Sequence, residues 1–257
     1  MANYETAPFE KRVATLREFS RFEDDGAAFE FTYDLGRRDL NMDLIERFGL
    51  DAVVDGLEDV ELMFALLKWV NDNFKHDGMS AMPTKRSATT IIEYMEQHDN
   101  GINCRGLSIL FAELLRLYGI PAKHITCHSD SDDFYVHVVT HAFSKKLDQW
   151  IMIDASSGLY LKDEQGNIMN LYNMRRAMIE GKPLFASNHA YINSLEGYIT
   201  FMTDYLFRFS CAKDFYVGSE DRGGEMPPDI MLVPVNYTQS ASDNIITTSA
   251  EAFFARP

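Results

Sequence analysis

One stretch constrains the fold more than any other: Cys104-Arg105-Gly106-Leu107-Ser108-Ile109-Leu110-Phe111-Ala112-Glu113-Leu114-Leu115-Arg116-Leu117-Tyr118. Its apolar residues recur at helical spacing, and Gly119, Ile120 and Pro121 stop it. The stretch begins with a thiol, so Cys104 sits where the unsatisfied N–H groups of a helix start present partial positive charge. Two strand-like runs follow, Tyr135-Val136-His137-Val138-Val139-Thr140-His141 and Trp150-Ile151-Met152-Ile153-Asp154. Covalent acyl transfer needs a nucleophile, a base and a group that orients the base, and Cys, His and Asp occur here in that order.

Around this stretch the chain reads as helices first and strands afterward. Residues 9 to 24 suggest a short helix, and Phe29 to Tyr33 a short strand or extended arm. Asp39 to Val54 is helical in pattern. Asp59 to Phe74 is more strongly so, with Leu62, Met63, Leu66, Trp69 and Val70 in phase and Asp55 or Asp59 as its cap. Ala88 to Gln97 is a further helix, and Asn100-Gly101 turns the chain into the Cys104 helix. Lys123 to Cys127, Phe134 to Phe143 and Gln149 to Asp154 are strands with short connections, the last two joined by a turn at Leu147-Asp148. Sequential strands so close together favour an antiparallel sheet. The order therefore predicts an α+β fold, the Cys-bearing helix packed on an antiparallel β-sheet that carries His and Asp.

After Asp154 the signal weakens. Asp163 to Asn167 reads as a hairpin turn, Met169 to Glu180 and Ser194 to Phe207 as helical, Asp229 to Val235 as a strand, and 219–228 as an exposed loop. Residues 1–257 are expected to form a single domain: a core over about 60–160, an N-terminal helical extension over 1–58, and an addition over about 185–257 that lays extra strands on the same sheet.

Composition narrows the chemistry. The formal net charge of -15 repels phosphate backbones and anionic surfaces, so neither nucleic acid nor a membrane is an expected partner. No apolar run is long enough to span a bilayer, and the first residues lack the apolar segment of a secretory signal. Three cysteines, Cys104, Cys127 and Cys211, do not suggest a disulfide framework. The expected compartment is the cytoplasm, where Cys104 stays a thiol.

A helix N-terminus and a neighbouring imidazolium together lower a Cys pKa from ~8.5 to well below 7. The backbone N–H of Cys104 is a natural oxyanion donor. Strand alternation puts Tyr135, His137, Val139 and His141 on one face, and a hairpin brings Asp154 beside His137 on the face that packs against the Cys104 helix. Each residue also has a plainer reading: Cys104 as a small core residue, His137 as a satisfied structural histidine, Asp154 as a turn residue. A metal site is another alternative, because His124, Cys127, His128, His137, His141 and Asp154 cluster in sequence. Residues four apart on a strand are ~13 Å apart, however, too far for His137 and His141 to share an ion. No metal and no cofactor is expected. His76 reads as a structural histidine past a helix end, His141 as a possible border of the cleft, and Trp69 and Trp150 as core.

At these residues the chain resembles the transglutaminase-like superfamily, which shares its core with papain-type thiol enzymes. The resemblance lies in Gly101-Ile102-Asn103-Cys104-Arg105-Gly106, Leu117-Tyr118-Gly119-Ile120-Pro121-Ala122-Lys123, His137-Val138-Val139-Thr140 and Trp150-Ile151-Met152-Ile153-Asp154, and covers roughly 60 to 160. It implies Cys104 as nucleophile, His137 as base and Asp154 as orienter, with a peptide or protein as substrate. The implied reaction is acyl transfer at an amide through a thioester, resolved by water or by an amine. Members often carry an aromatic soon after the His, an acidic residue four positions beyond it, and a proline close after the Asp. This chain has Val139, His141 and Ala155-Ser156-Ser157 there. A module that keeps this fold but only binds peptides is the alternative. The oligomeric state is not encoded in any pattern found here.

Overall fold

The computed structural model describes residues 9–24, 26–131, 135–217, 228–238 and 243–257. Its helices are α1 Phe9–Glu18, α2 Met42–Phe48, α3 Leu50–Val54, α4 Asp59–Asn73, α5 Ala88–Glu96, α6 Cys104–Leu117, α7 Leu171–Glu180, α8 Leu195–Asp204 and α9 Ala250–Phe253. Its strands are β1 Thr32–Tyr33, β2 Lys75–His76, β3 Gly101–Ile102, β4 Ala122–His128, β5 Val136–Ser144, β6 Gln149–Ile153, β7 Leu161–Lys162, β8 Phe185–Ala186, β9 Arg208–Cys211, β10 Asp214–Phe215, β11 Ile230–Leu232 and β12 Ile245–Thr247.

The fold is α+β, with the Cys-bearing helix α6 on the sheet that carries His137 and leads to Asp154. One six-stranded sheet has the order β12-β11-β9-β4-β5-β6. It is antiparallel except for the β11–β12 pair. The C-terminal region thus adds β9, β11 and β12 to the edge next to β4. Of these, β9 and β12 have no counterpart in the sequence reading.

Each face of the sheet carries its own core. On one, Ala142, Ile151 and Ile153 pack with Leu66 and Val70 of α4, Ile91 of α5, and Leu107, Leu110 and Phe111 of α6. On the other, Ile125, Cys127, Val139 and Met152 pack with Met174 of α7, Tyr198 and Met202 of α8, and Phe253 of α9. α6 is buried along nearly its whole length because helices and sheet enclose it. That accounts for its polar exceptions. Glu113 accepts the Ala88 N–H at the start of α5, and Arg116 donates to the Ala122 carbonyl.

Several local details differ from expectation. The helical pattern over 39–54 breaks at Gly49, whose φ of 58° lies in the left-handed region. Neither Asp55 nor Asp59 caps α4. Asp59 itself has a φ of 47°, and its carboxylate instead accepts the Ser144 hydroxyl and the Lys146 N–H at the β5–β6 turn. Phe134 and all of 219–228 but Pro228 lie outside the described residues. Among the described residues, no helix is long and apolar enough to cross a membrane.

Candidate active site

Cys104 is held at the first turn of α6 by its neighbours. The Asn103 side chain caps the helix, accepting the Gly106 N–H at 3.1 Å, and donates to the Ser80 carbonyl at 3.0 Å. Gly106 lets the helix sit directly on Ile102, since a Cβ there would lie 2.5 Å from the Ile102 Cδ1. Ile102 belongs to β3, which pairs in parallel with β2, and the register sets His76 opposite Ile102. This brings the His76 ring to the Cys104 sulfur, with which it hydrogen-bonds.

His137 reaches the same sulfur from β5 in an unexpected way. Its face is the one carrying Val139 and Cys127, opposite the body of α6. The expectation that His137 and Asp154 lie on the face packed against the helix is therefore corrected. They meet Cys104 because β6 pairs with β5 only from Thr140 to Ser144, which leaves the edge of β5 open at Val138. The start of α6 fills that edge. Ser108 donates its hydroxyl to the Val138 carbonyl at 2.8 Å, and the Val138 N–H hydrogen-bonds the Cys104 sulfur. The helix N-terminus thus replaces the missing strand, and His137 leans over the same edge.

Asp154 follows the last residue of β6 and opens a turn closed by its own backbone bonds to Leu159. Its Oδ2 accepts from His137 Nε2 at 2.9 Å and from the Tyr198 hydroxyl at 3.0 Å. Its Oδ1 accepts from Ser156 N at 3.0 Å, Ser156 Oγ at 2.7 Å and Ser157 N at 3.1 Å. The serines that depart from the superfamily pattern thus supply N–H groups, which a proline in their place lacks. With Nε2 committed to Asp154, Nδ1 is the ring nitrogen left for the thiol.

The electrostatics follow from these contacts. Burial pushes the Cys104 thiol up, but hydrogen bonds from His137 and His76, the His137 charge and the Val138 N–H outweigh it, and the thiol is lowered to about 6. Burial pushes the His137 imidazole down, but the charge and hydrogen bond of Asp154, then those of Cys104, raise it to about 10. Burial opposes ionisation of Asp154, yet His137, Ser156 and Tyr198 hold its carboxyl below the usual range. Between these limits the stable form is a thiolate beside an imidazolium. The other thiols differ in kind. Burial, with the charges of Asp154 and Cys104, pushes Cys127 well above its ordinary value, and burial first of all pushes Cys211 up to about 12.

The structure thus brings Cys104, His137 and Asp154 together. It excludes His141 from the cleft: that ring is fully buried and accepts the Leu171 N–H at 3.2 Å. His76 is the correction in the other direction, a site residue rather than the helix-end histidine expected, because α4 stops at Asn73. Two-residue strands leave no periodicity to read, so nothing in the sequence signals its partner. Tyr198 was also missed, although Tyr198, Phe201, Met202 and Tyr205 recur at helical spacing. Among the described residues, no three His, Cys, Asp or Glu side chains are grouped to hold a metal ion. A surface cavity of about 540 Å³ lined by Gln149, Asp163, Arg176 and Glu180 shares no residue with this site.

Residues 51–155 match the family model described as the transglutaminase-like superfamily. That segment is similar to a transglutaminase-like core. That core runs from α3 to just past Asp154 and so holds all three residues, whereas α8 lies outside it. No curated protein matches the sequence. Among solved structures, a protein of Cytophaga hutchinsonii named a “Putative Cysteine Protease” is similar at 18% identity and a TM-score of 0.36, over 62% of this chain and 52% of that one. A “putative protease” of Parabacteroides distasonis ATCC 8503 is similar at 11% identity and a TM-score of 0.31, over 62% of this chain and 30% of that one. This chain therefore spans about half the length of the first and under a third of the second.

Proposed function

We propose that the protein is a thiol enzyme that transfers an acyl group from an amide or peptide bond through a thioester on Cys104. The observation that carries this reading is one buried hydrogen bond. Asp154 Oδ2 holds His137 Nε2 at 2.9 Å, and that ring in turn hydrogen-bonds a thiol lowered to about 6. A structural cysteine has no use for such an arrangement.

In this mechanism the Cys104 thiolate attacks the amide carbonyl and a C–S bond forms. The resulting oxyanion lies at the start of α6, within reach of the Cys104 N–H, and His76 is the second donor. Collapse breaks the C–N bond, and the His137 imidazolium gives its proton to the departing amine. The thioester is then attacked by water, deprotonated by His137, to give an acid, or by an amine to give a new amide. Asp154 fixes the ring and stabilises its charge throughout. The substrate is a peptide or protein, and its choice between water and amine depends on access to the thioester.

The test is to incubate a peptide library with the protein, with and without a primary amine, and to compare it with Cys104→Ala by mass. Cleavage, deamidation and amine adducts leave different mass changes, each expected to vanish in the variant. Unchanged masses throughout, with Cys104 alkylated no faster than Cys127 or Cys211, would leave a peptide-binding module instead.

A further inference from the structure

α8 lies outside the matched segment, yet it forms one wall of the site. Phe201 meets the His137 ring edge-on with centroids 5.0 Å apart, and Tyr205 lies 6.2 Å from the same ring. Deeper in, buried Tyr198 donates to Asp154 Oδ2, the oxygen that also accepts the His137 Nε2–H hydrogen bond. Orientation of the carboxylate does not require this bond, since the three donors on Oδ1 come from the turn that Asp154 itself opens. What Tyr198 changes is the charge left on Oδ2. Two donors on one oxygen share its electron density, so each bond is weaker than it would be alone.

We propose that Tyr198 is a positioning residue that acts through Asp154, its second hydrogen bond on Oδ2 limiting how strongly the carboxylate stabilises the His137 imidazolium. The proposal rests on the thiol-enzyme reading. In that chemistry the imidazolium must surrender its Nδ1 proton to the leaving amine, and a carboxylate with undivided charge on Nε2–H would raise the basicity of the ring and hold that proton back. Burial first, then the charge and hydrogen bond of Asp154, push the Tyr198 phenol well above its ordinary value, so it remains a donor across the working range. Among the described residues, the other ionisable groups facing this cluster include the Tyr205 phenol just past α8, the Cys127 thiol from β4, Cys104 from α6, and His76 from β2 beyond the sulfur.

Tyr198→Phe keeps the ring and removes the donor. The readouts are the acid limb of Cys104 alkylation by iodoacetamide, followed by mass, and the low-field NMR resonance of the His137 Nε2 proton. With one donor left on Oδ2, the imidazolium is better stabilised. The acid limb is expected to fall by about half a pH unit, a fraction of one charged hydrogen bond. The proton resonance moves further downfield. Tyr198→3-fluorotyrosine, a stronger donor of nearly the same size, moves both readouts the opposite way and guards against a packing defect in the first variant. An unmoved limb and resonance, or a limb that rises in Tyr198→Phe, overturns the proposal while wild-type Cys104 still alkylates selectively. Unselective alkylation of the wild type overturns the enzyme reading and this proposal with it.

Discussion

Two imidazoles meet the sulfur of Cys104, and they are not equivalent. His137 is buried and bound to Asp154, whereas His76 is exposed on a short strand. Removing His137 takes away both a hydrogen bond and the charge that offsets burial, so the thiol of His137→Ala returns to at least its ordinary range. Alkylation of Cys104 at neutral pH is then expected to fall ~30-fold, the change in thiolate fraction between a pKa near 6 and one near 8.5. His76→Ala removes a hydrogen bond but leaves the pair of charges, so alkylation changes less. Turnover should nevertheless fall by ~10²-fold if His76 donates to the oxyanion. Measuring alkylation and turnover on the same preparations separates the roles: a large loss of turnover with nearly intact alkylation marks an oxyanion donor, and parallel losses deny it. Cys127 and Cys211 serve as internal references, since burial holds both as unreactive thiols until the protein unfolds.

At the scale of the element, the reactivity of Cys104 depends on how closely α6 approaches β3 and the open edge of β5. Gly106→Ala tests this with opposing effects. Alanine favours a helix interior by ~1 kcal/mol, but the new Cβ would meet the Ile102 Cδ1, Cγ1 and Cγ2 at 2.5, 2.6 and 3.0 Å. Ile102 is fully buried and cannot swing away, so the clash, at ~1–3 kcal/mol, should outweigh the alanine gain and leave a net loss of up to ~2 kcal/mol in urea unfolding. The helix start must also shift, and Cys104 alkylation should slow; unchanged stability and reactivity would show that the close approach is dispensable. Much of this architecture was legible beforehand. α6 announced itself by apolar spacing and by its Gly119-Ile120-Pro121 stop, β5 by alternation and β6 by a short strand-like run. The face was not legible, because alternation tells which residues lie together but not which side a helix covers. Nor was the role of the β5 edge, which depends on where β6 stops pairing. His76 escaped because β2 is two residues long, and Asp59 because its backbone enters the left-handed region and its carboxylate serves a turn 85 residues away.

Over the whole molecule, the two faces of the sheet are built from different parts of the chain, and the C-terminal part must be fastened to the rest. Lys123 does this from β4. Its side chain is fully buried, its ammonium donates to the Phe253 carbonyl at 3.0 Å, and it lies 3.7 Å from the Phe31 ring centre and 5.0 Å from that of Trp150. Trp150 Nε1 donates to the Ala255 carbonyl beside it, so two bonds fix the chain around α9. A lysine on a strand reads as a solvent-facing position, which is why sequence alone did not reveal the latch. Burial lowers this ammonium to about 8, with the Cys211 charge opposing. The unfolded chain holds the same proton up to ~10.4, so from pH 8 to that value the unfolded state binds more protons than the native one. Stability contributed at this position therefore rises with pH through that window, by at most ~1.4 kcal/mol per unit, and is level on either side. Lys123→Met fills a similar volume and cannot titrate; the groups coupled to Lys123, Cys211 pushed up to about 12 and His141 held well below its ordinary value, titrate outside this window in the folded protein, so the other ionisable groups largely cancel in the difference. Subtracting the unfolding free energy of Lys123→Met from that of wild type, measured in urea at a series of pH values, should give a curve that is flat below about 8 and climbs above it. A difference that stays level through the window would mean that the buried ammonium keeps its proton, and that the Phe31 and Trp150 rings and the Phe253 carbonyl solvate it as well as water does.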